Sequence, residues 1–294
     1  MSQSSHDFLA TLSRIADALE RIAPPSREKP DFTRHVAARW RVSGTLKYLE
    51  AVQHVHHMNA DSLVGVEEQH AQIDRNTKQF VNRKPSNNVL LTGSRGTGKS
   101  SLVKAMLSRY AKRGLRLIEV EKDHLNDMPD IVDLIAAEPY QFILFCDDLS
   151  FDAGDGSYKA LKAILDGSIA AATPNVLLYA TSNRRHLLPE YFHENEETKY
   201  VGEEVHFGES IEEKVSLSER FGLWISFYPF SQEDYLAAVH SWVRELGAVV
   251  PTDAKRRESF ERDALNWALQ RGSRSGRVAF QFARDFAGRT SAKK

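Results

Sequence analysis

The chain has 294 residues, of which 39 are Lys or Arg and 40 are Asp or Glu, for a net charge of −1, with a single cysteine, Cys146. That balance gives no whole-chain pull toward nucleic acid, and one thiol cannot close an internal disulfide, which fits a reducing compartment. No apolar run is long enough to cross a bilayer, so no membrane role is expected.

Charge is placed unevenly. Thr252 to Lys294 holds eleven basic and five acidic residues, whereas Leu187 to Glu219 holds ten acidic and two basic. The N-terminus has no basic stretch followed by an apolar block, so a signal peptide is not expected and the expectation is a soluble cytoplasmic protein. Phe8, Leu12, Ile15, Leu19 and Ile22 are spaced four, three, four, three, which predicts an amphipathic helix with a narrow apolar seam. It would dock on its own domain or form a short coiled coil. Pro24 and Pro25 end it and open a linker. Phe32 to Met58 is predicted as further helix, interrupted near Gly44. His54 and His57 could share a helix face there, but two imidazoles with no cysteine or carboxylate cluster are a weak metal set, and a solvated or packed face fits better.

From Leu63 onward the chain alternates. "EEQHAQIDRNTKQFVN" predicts a helix, "NNVLLTG" a buried strand, and "KSSLVKAMLSRYAKRG" a helix. "LRLIEVE", "QFILFCDD" and "NVLLYATSN" predict strands, with "MPDIVDLIAAEP" and "SYKALKAILDGSIAA" as helices. Val-, Ile- and Leu-rich strands between helices predict an α/β fold with a parallel sheet covered on both faces. After "LWISFYPF" the chain is strand-poor and reads as three helices, the first opened by a capping box of Ser231 and Asp234. The expected organisation is an N-terminal helical region over 1–60, an α/β core over 61–230 and a C-terminal helical region over 231–294.

Gly93-Ser94-Arg95-Gly96-Thr97-Gly98-Lys99-Ser100 fits the P-loop pattern G-x-x-x-x-G-K-S/T between a buried strand and a helix. Glycines let consecutive backbone N–H groups turn toward phosphate oxygens, and the following helix aims its positive end at the same anion. Lys99 supplies charge to the β and γ phosphates and the Ser100 hydroxyl ligates Mg²⁺. Ser101 is out of register for that role. A glycine-rich turn alone would not require the lysine and hydroxyl in this register. Phe142 to Leu149 is an apolar strand ending in two carboxylates. Asp147 would hold Mg²⁺ through a bound water, and Asp148 would orient an attacking water. A strand followed by an Asx turn explains the same residues in isolation; the P-loop upstream favours the metal reading.

P-loop, acidic strand end, strand with terminal Asn, arginine before a second domain and C-terminal arginine follow the order of the AAA+ ATPases, which the chain resembles from about Asp61 to Gly288. The wording "FCDDLSF" and "LSERFGLWISFYPF" most resembles a bacterial AAA+ group of unknown function. The resemblance implies a P-loop NTPase sheet with a helical lid, ATP and Mg²⁺ as ligands, and a nucleotide-dependent homo-oligomer acting on a macromolecular partner. It makes "LVGVEEQ", with Val64 and Gly65, the adenine-pocket segment. Asn183 becomes the polar residue holding water near the γ-phosphate. Arg220 in "SLSERFG" becomes the arginine finger, and Arg277 in "SGRVAFQF" the lid arginine, with Arg274 in reserve. Taken singly, Arg220 could pair with the acidic stretch before it and Arg277 could serve lid packing.

Where many AAA+ members have Asp-Glu, this chain has Asp147-Asp148, one methylene or roughly 1.5 Å shorter in reach. Several functions stay open: an oligomeric ATPase motor or switch, its hydrolysis fast or slow; a nucleotide-dependent adaptor with little hydrolysis; or a helicase-loader-like protein binding nucleic acid through the basic lid. A small-molecule kinase is weaker, because no motif specifies an acceptor pocket. The acidic segment His193 to Lys214 is expected as a solvated loop with a short hairpin or helix, or as a partner-engaging element.

Overall fold

A computed structural model shows the architecture. It describes residues 28–55, 58, 63–151, 173–184 and 220–290, short pieces at 8, 11–15, 161, 162 and 165, and two short strands at 199–201 and 204–206. The strands are β1 (Ala37–Ser43), β2 (Leu46–Ala51), β3 (Val89–Gly93), β4 (Leu115–Glu119), β5 (Gln141–Cys146), β6 (Val176–Ser182), β7 (Lys199–Val201), β8 (Glu204–His206) and β9 (Leu223–Phe227). The helices are α1 (Glu67–Val81), α2 (Lys99–Tyr110), α3 (Met128–Ile135), α4 (Gln232–Glu245), α5 (Ala254–Gln270) and α6 (Gly276–Thr290).

Seven strands form one sheet in the order β2-β1-β4-β5-β6-β3-β9. Every neighbouring pair is parallel except β1 with β2. Period-two geometry sends alternate side chains of β5 to opposite faces. Phe142, Leu144 and Cys146 pack on one face with Leu125, Met128 and Ile131. Ile143 and Phe145 pack on the other with Ile73, Phe80, Leu102 and Met106 of α1 and α2. Both faces are covered, so β5 is buried along its whole length, and a continuous apolar run is what such a strand requires. The result puts the ends of β3, β5 and β6 side by side, with β3 between β6 and β9.

Helices α4, α5 and α6 enclose a separate apolar cluster built on Tyr235, Val239, Val243, Phe260, Ala264 and Phe282. The expected capping box is present: Asp234 N–H donates to Ser231 Oγ at 3.0 Å and Ser231 N–H to Asp234 Oδ2 at 3.2 Å.

The helix expected over Phe32 to Met58 is instead a β-hairpin. Gly44, read as a helix interruption, is the turn, with φ +62, and Ser43 pairs with Leu46 across it. The segment is rich in Ala, Arg, Leu, Lys and Glu, which favour helix. Pairing of Ala37 to Arg39 along β4 and burial of Trp40 and Leu49 outweigh that weak local preference. At the N-terminus, Phe8 and Thr11 to Ile15 are helical, with Phe8, Leu12 and Ile15 exposed; Leu19, Ile22 and the two prolines lie outside the described residues. So do His57, most of the helix expected from Ser157 to Ala171, and most of the acidic segment 193–214. The described part of that segment is the antiparallel pair β7–β8.

Candidate nucleotide-binding site

Strand β3 ends on Gly93, where β9 passes too close for a side chain: a Cβ there would lie 1.9 Å from Phe227 O. The chain then turns through Gly96 and Gly98, with φ +75 and +101, positions that tolerate glycine far better than other residues. Gly98 is the N-cap of α2 and supplies no capping side chain, so the first-turn N–H groups are left for an anion.

Lys99 is 5% exposed. Its ammonium donates to Gly93 O at 2.6 Å, Ser94 O at 2.7 Å and Asn183 Oδ1 at 3.0 Å, which uses all three of its protons. Burial pushes its pKa down to about 8; Asp147 and Asp148 pull it up, and Arg277 and Arg95 push it further down. Ser100 Oγ donates to Asp147 Oδ1 at 2.5 Å. Thr181 Oγ1 donates to the same oxygen at 2.6 Å and accepts the Asp148 N–H at 2.9 Å. Asp148 is held at φ +55, a conformation that aspartate tolerates better than most residues. Its Oδ1 accepts a hydrogen bond from Asn183 Nδ2, and Arg95 Nη2 lies 3.9 Å from its Oδ2.

The lid sits directly on this loop. A Cβ on Gly96 would lie 2.9 Å from Ser275 Oγ and 3.2 Å from Arg277 Cβ, and Arg277 N–H donates to Gly96 O at 3.4 Å. Between loop, strand ends and lid lies a cleft of about 1060 Å³. Arg95 to Ser100, Asp147, Asp148, Asn183 and Arg277 give it polar lining; Met58, Leu63, Val64, Trp242 and Phe280 give it apolar lining. A cleft that combines convergent polar groups with apolar and aromatic lining suits a small ligand.

Four residues expected at the site do not line the cleft. Gly93 and Ser94 face Lys99 with their carbonyls. Gly65, at φ +75, turns the chain against Asp234 of α4, 3.5 Å from where its Cβ would be. Arg220 precedes β9, whose far end, Phe227, pairs with Gly93. The strand's five residues, about 16 Å of rise, thus separate Arg220 from the P-loop. Arg277 lines the cleft whereas Arg274 is exposed and does not. Thr181 was missed by sequence reasoning; the available signal was its place near the end of β6, two residues before Asn183.

The sheet order, the glycine loop and the strand-end carboxylates are those of a AAA+ P-loop NTPase fold. The chain is similar to a mutant of Thermotoga maritima RuvB at TM-score 0.50 and 14% identity, over 80% of this chain and 68% of that one. It is similar to the FIGL-1 AAA domain, solved in complex with ADP, at TM-score 0.50 and 15% identity, over 80% and 74% of the two chains. Residues 33–290 match the family described as Protein of unknown function (DUF815), and the chain belongs to that family. No curated protein matches it in sequence. Among the described residues no helix is long and apolar enough to cross a membrane.

Proposed function

We propose that this protein is a Mg²⁺-dependent ATPase of the AAA+ class that works as a nucleotide-dependent homo-oligomer on a macromolecular partner. The observation that carries the reading is the convergence of Lys99, Ser100, Asp147, Asp148 and Asn183 in one cleft, joined by hydrogen bonds. A neighbour of the same fold was solved with ADP, which supports an adenine nucleotide here.

The P-loop amides and Lys99 bind the phosphates, and the apolar lining around Val64 and Trp242 takes the base. The donor set for Mg²⁺ is hard oxygen, the Ser100 hydroxyl and the Asp147 carboxylate. Among the described residues no three His, Cys, Asp or Glu form a cage, which suits an ion shared with phosphates rather than one held by protein alone. When bound, Mg²⁺ neutralises charge on the β and γ phosphate oxygens. Thr181 keeps Asp147 turned toward Ser100. Asp148 orients a water and takes its proton as the water oxygen bonds to the γ-phosphorus; the bond to the β,γ-bridging oxygen breaks, leaving ADP and phosphate. Asn183 fixes Asp148, and Arg277 brings the lid's charge to the phosphates. Arg220, which precedes β9, serves the nucleotide of a neighbouring copy.

A second reading, a nucleotide-dependent adaptor with little hydrolysis, is favoured by the short reach of Asp148. Phosphate release with Mg·ATP separates the two. Turnover that falls at least about a hundredfold in Asp148→Asn supports the ATPase. Nucleotide binding with no phosphate release above background would support the adaptor and end the ATPase claim.

A further inference from the structure

The third P-loop residue is an arginine, and its side chain is not spent on the fold. Arg95 is 77% exposed along its side chain and lies 3.9 Å from Asp148 Oδ2. The other oxygen of Asp148 is held by Asn183. The carboxylate meant to orient water thus has an amide on one oxygen and a guanidinium beside the other. Asp148 is itself 57% exposed, and an ion pair this open to solvent contributes little and is readily exchanged. Arg95 also lines the cleft that the phosphates would occupy. A guanidinium presents a planar fork of donors that matches a phosphate as well as it matches a carboxylate, but it cannot serve both at once.

We propose that Arg95 is a positioning residue that alternates between two partners. With no triphosphate in the loop it pairs with Asp148 and keeps that carboxylate engaged. When a γ-phosphate arrives, Arg95 turns to it and leaves Asp148 to the water. The P-loop would then report the presence of the γ-phosphate to the strand end within one subunit. This inference rests on the ATP-binding reading above. It makes the third loop position, open to many residues in the P-loop pattern, a discriminator of triphosphate from diphosphate in this chain.

Calorimetric titration with ADP and with a β,γ-imido analogue of ATP tests it, in wild type, Arg95→Ala, Arg95→Lys, Asp148→Asn and the double variant Arg95→Ala/Asp148→Asn. Loss of a charge-assisted contact to the γ-phosphate predicts that Arg95→Ala weakens the triphosphate about tenfold and ADP less than about twofold. Arg95→Lys, a point charge without the fork, falls between. Asp148→Asn frees Arg95 and tightens the triphosphate, and that gain is at least about threefold smaller with Ala at position 95, because pairwise coupling appears as non-additivity. A purely structural role would shift both nucleotides alike. Equal losses for the two nucleotides, or the same Asp148→Asn gain with and without Arg95, would overturn the proposal while leaving nucleotide binding intact. A wild-type protein that binds neither nucleotide would overturn the underlying reading as well. Thermal unfolding without nucleotide checks that each variant folds; should Arg95→Ala not fold, the comparison of wild type with Arg95→Lys carries the test.

Discussion

The carboxyl ends of β3, β5 and β6 and the β1–β2 hairpin at the sheet's edge are held together by opposite means. At the strand ends, polar groups crowd: a buried ammonium, two adjacent carboxylates and a non-glycine residue at positive φ. At the hairpin, an indole and a leucine are buried, and charge stays at the rim in pairs such as Arg39–Glu119 and Arg41–Glu50. Desolvated charge costs stability and gives binding; buried apolar area does the reverse. The two regions should therefore fail differently when mutated, one in chemistry and the other in folding.

The largest effect is expected outside both regions. Arg220 lies at the far end of β9 from the P-loop, so the cleft of one chain lacks a group that the proposed mechanism needs. In other nucleotide hydrolases an arginine finger contributes roughly 10³ to 10⁵ in turnover. Arg220→Ala should keep ATP binding and lose turnover on that scale. Mixing it with excess Lys99→Ala subunits should restore some activity, because those subunits carry intact arginines. Full-rate hydrolysis by a monomer at high protein concentration would show the cleft to be complete in one chain.

Next in size is the hairpin. Trp40 is fully buried and its indole N–H donates to Asp127 Oδ2 at 3.0 Å. Trp40→Ala should cost about 3–5 kcal/mol in denaturant unfolding, with nucleotide affinity of the folded protein within about twofold of wild type. An affinity loss in step with the stability loss would mean that the edge and the site are coupled, and that the contrast between them is wrong. Lys99→Ala is the mirror experiment. Nucleotide affinity should drop about a hundredfold, the scale of a lost contact to a charged group. The unfolding midpoint should hold or rise, since the side chain contacts loop carbonyls and Asn183 rather than the core and its desolvation opposes folding. Unchanged affinity would remove the central claim about the cleft.

The same contrast explains what could be read from the sequence. Gly93, Gly98, Lys99 and Ser100 were legible because phosphate chemistry admits few residue types at fixed spacing. Asp147, Asp148 and Asn183 were legible once that anchor existed. The hairpin was not, because its residues carry helix propensity and only the distant β4 makes them strand. Thr181 was hidden for a related reason: threonine is ordinary in a strand, and only the fold shows it clamping Asp147. The seat of the lid on Gly96 was out of reach, since it joins a loop to Ser275 and Arg277 far along the chain. Arg95 beside Asp148 was likewise invisible, because the P-loop pattern leaves that position open.

The smallest expected effect separates the two regions by pH. Burial lowers the Lys99 pKa from its usual value to about 8. Its folded value is thus below its unfolded one, so between about pH 8 and the ordinary lysine range the unfolded chain binds the extra proton. Desolvation of this ammonium opposes folding below about pH 8, and that penalty lifts as pH rises through this window. Phosphate binding has the opposite sign, because only the ammonium attracts the anion. As pH rises from 7 to 9, nucleotide affinity should hold to about 8 and then fall, by at most about tenfold per further pH unit, the limit for one proton. In Lys99→Ala the weak residual affinity should stay flat across that window, and in Trp40→Ala the wild-type decline should persist. A decline of equal slope in Lys99→Ala would place the titrating group elsewhere and detach the buried ammonium from phosphate binding.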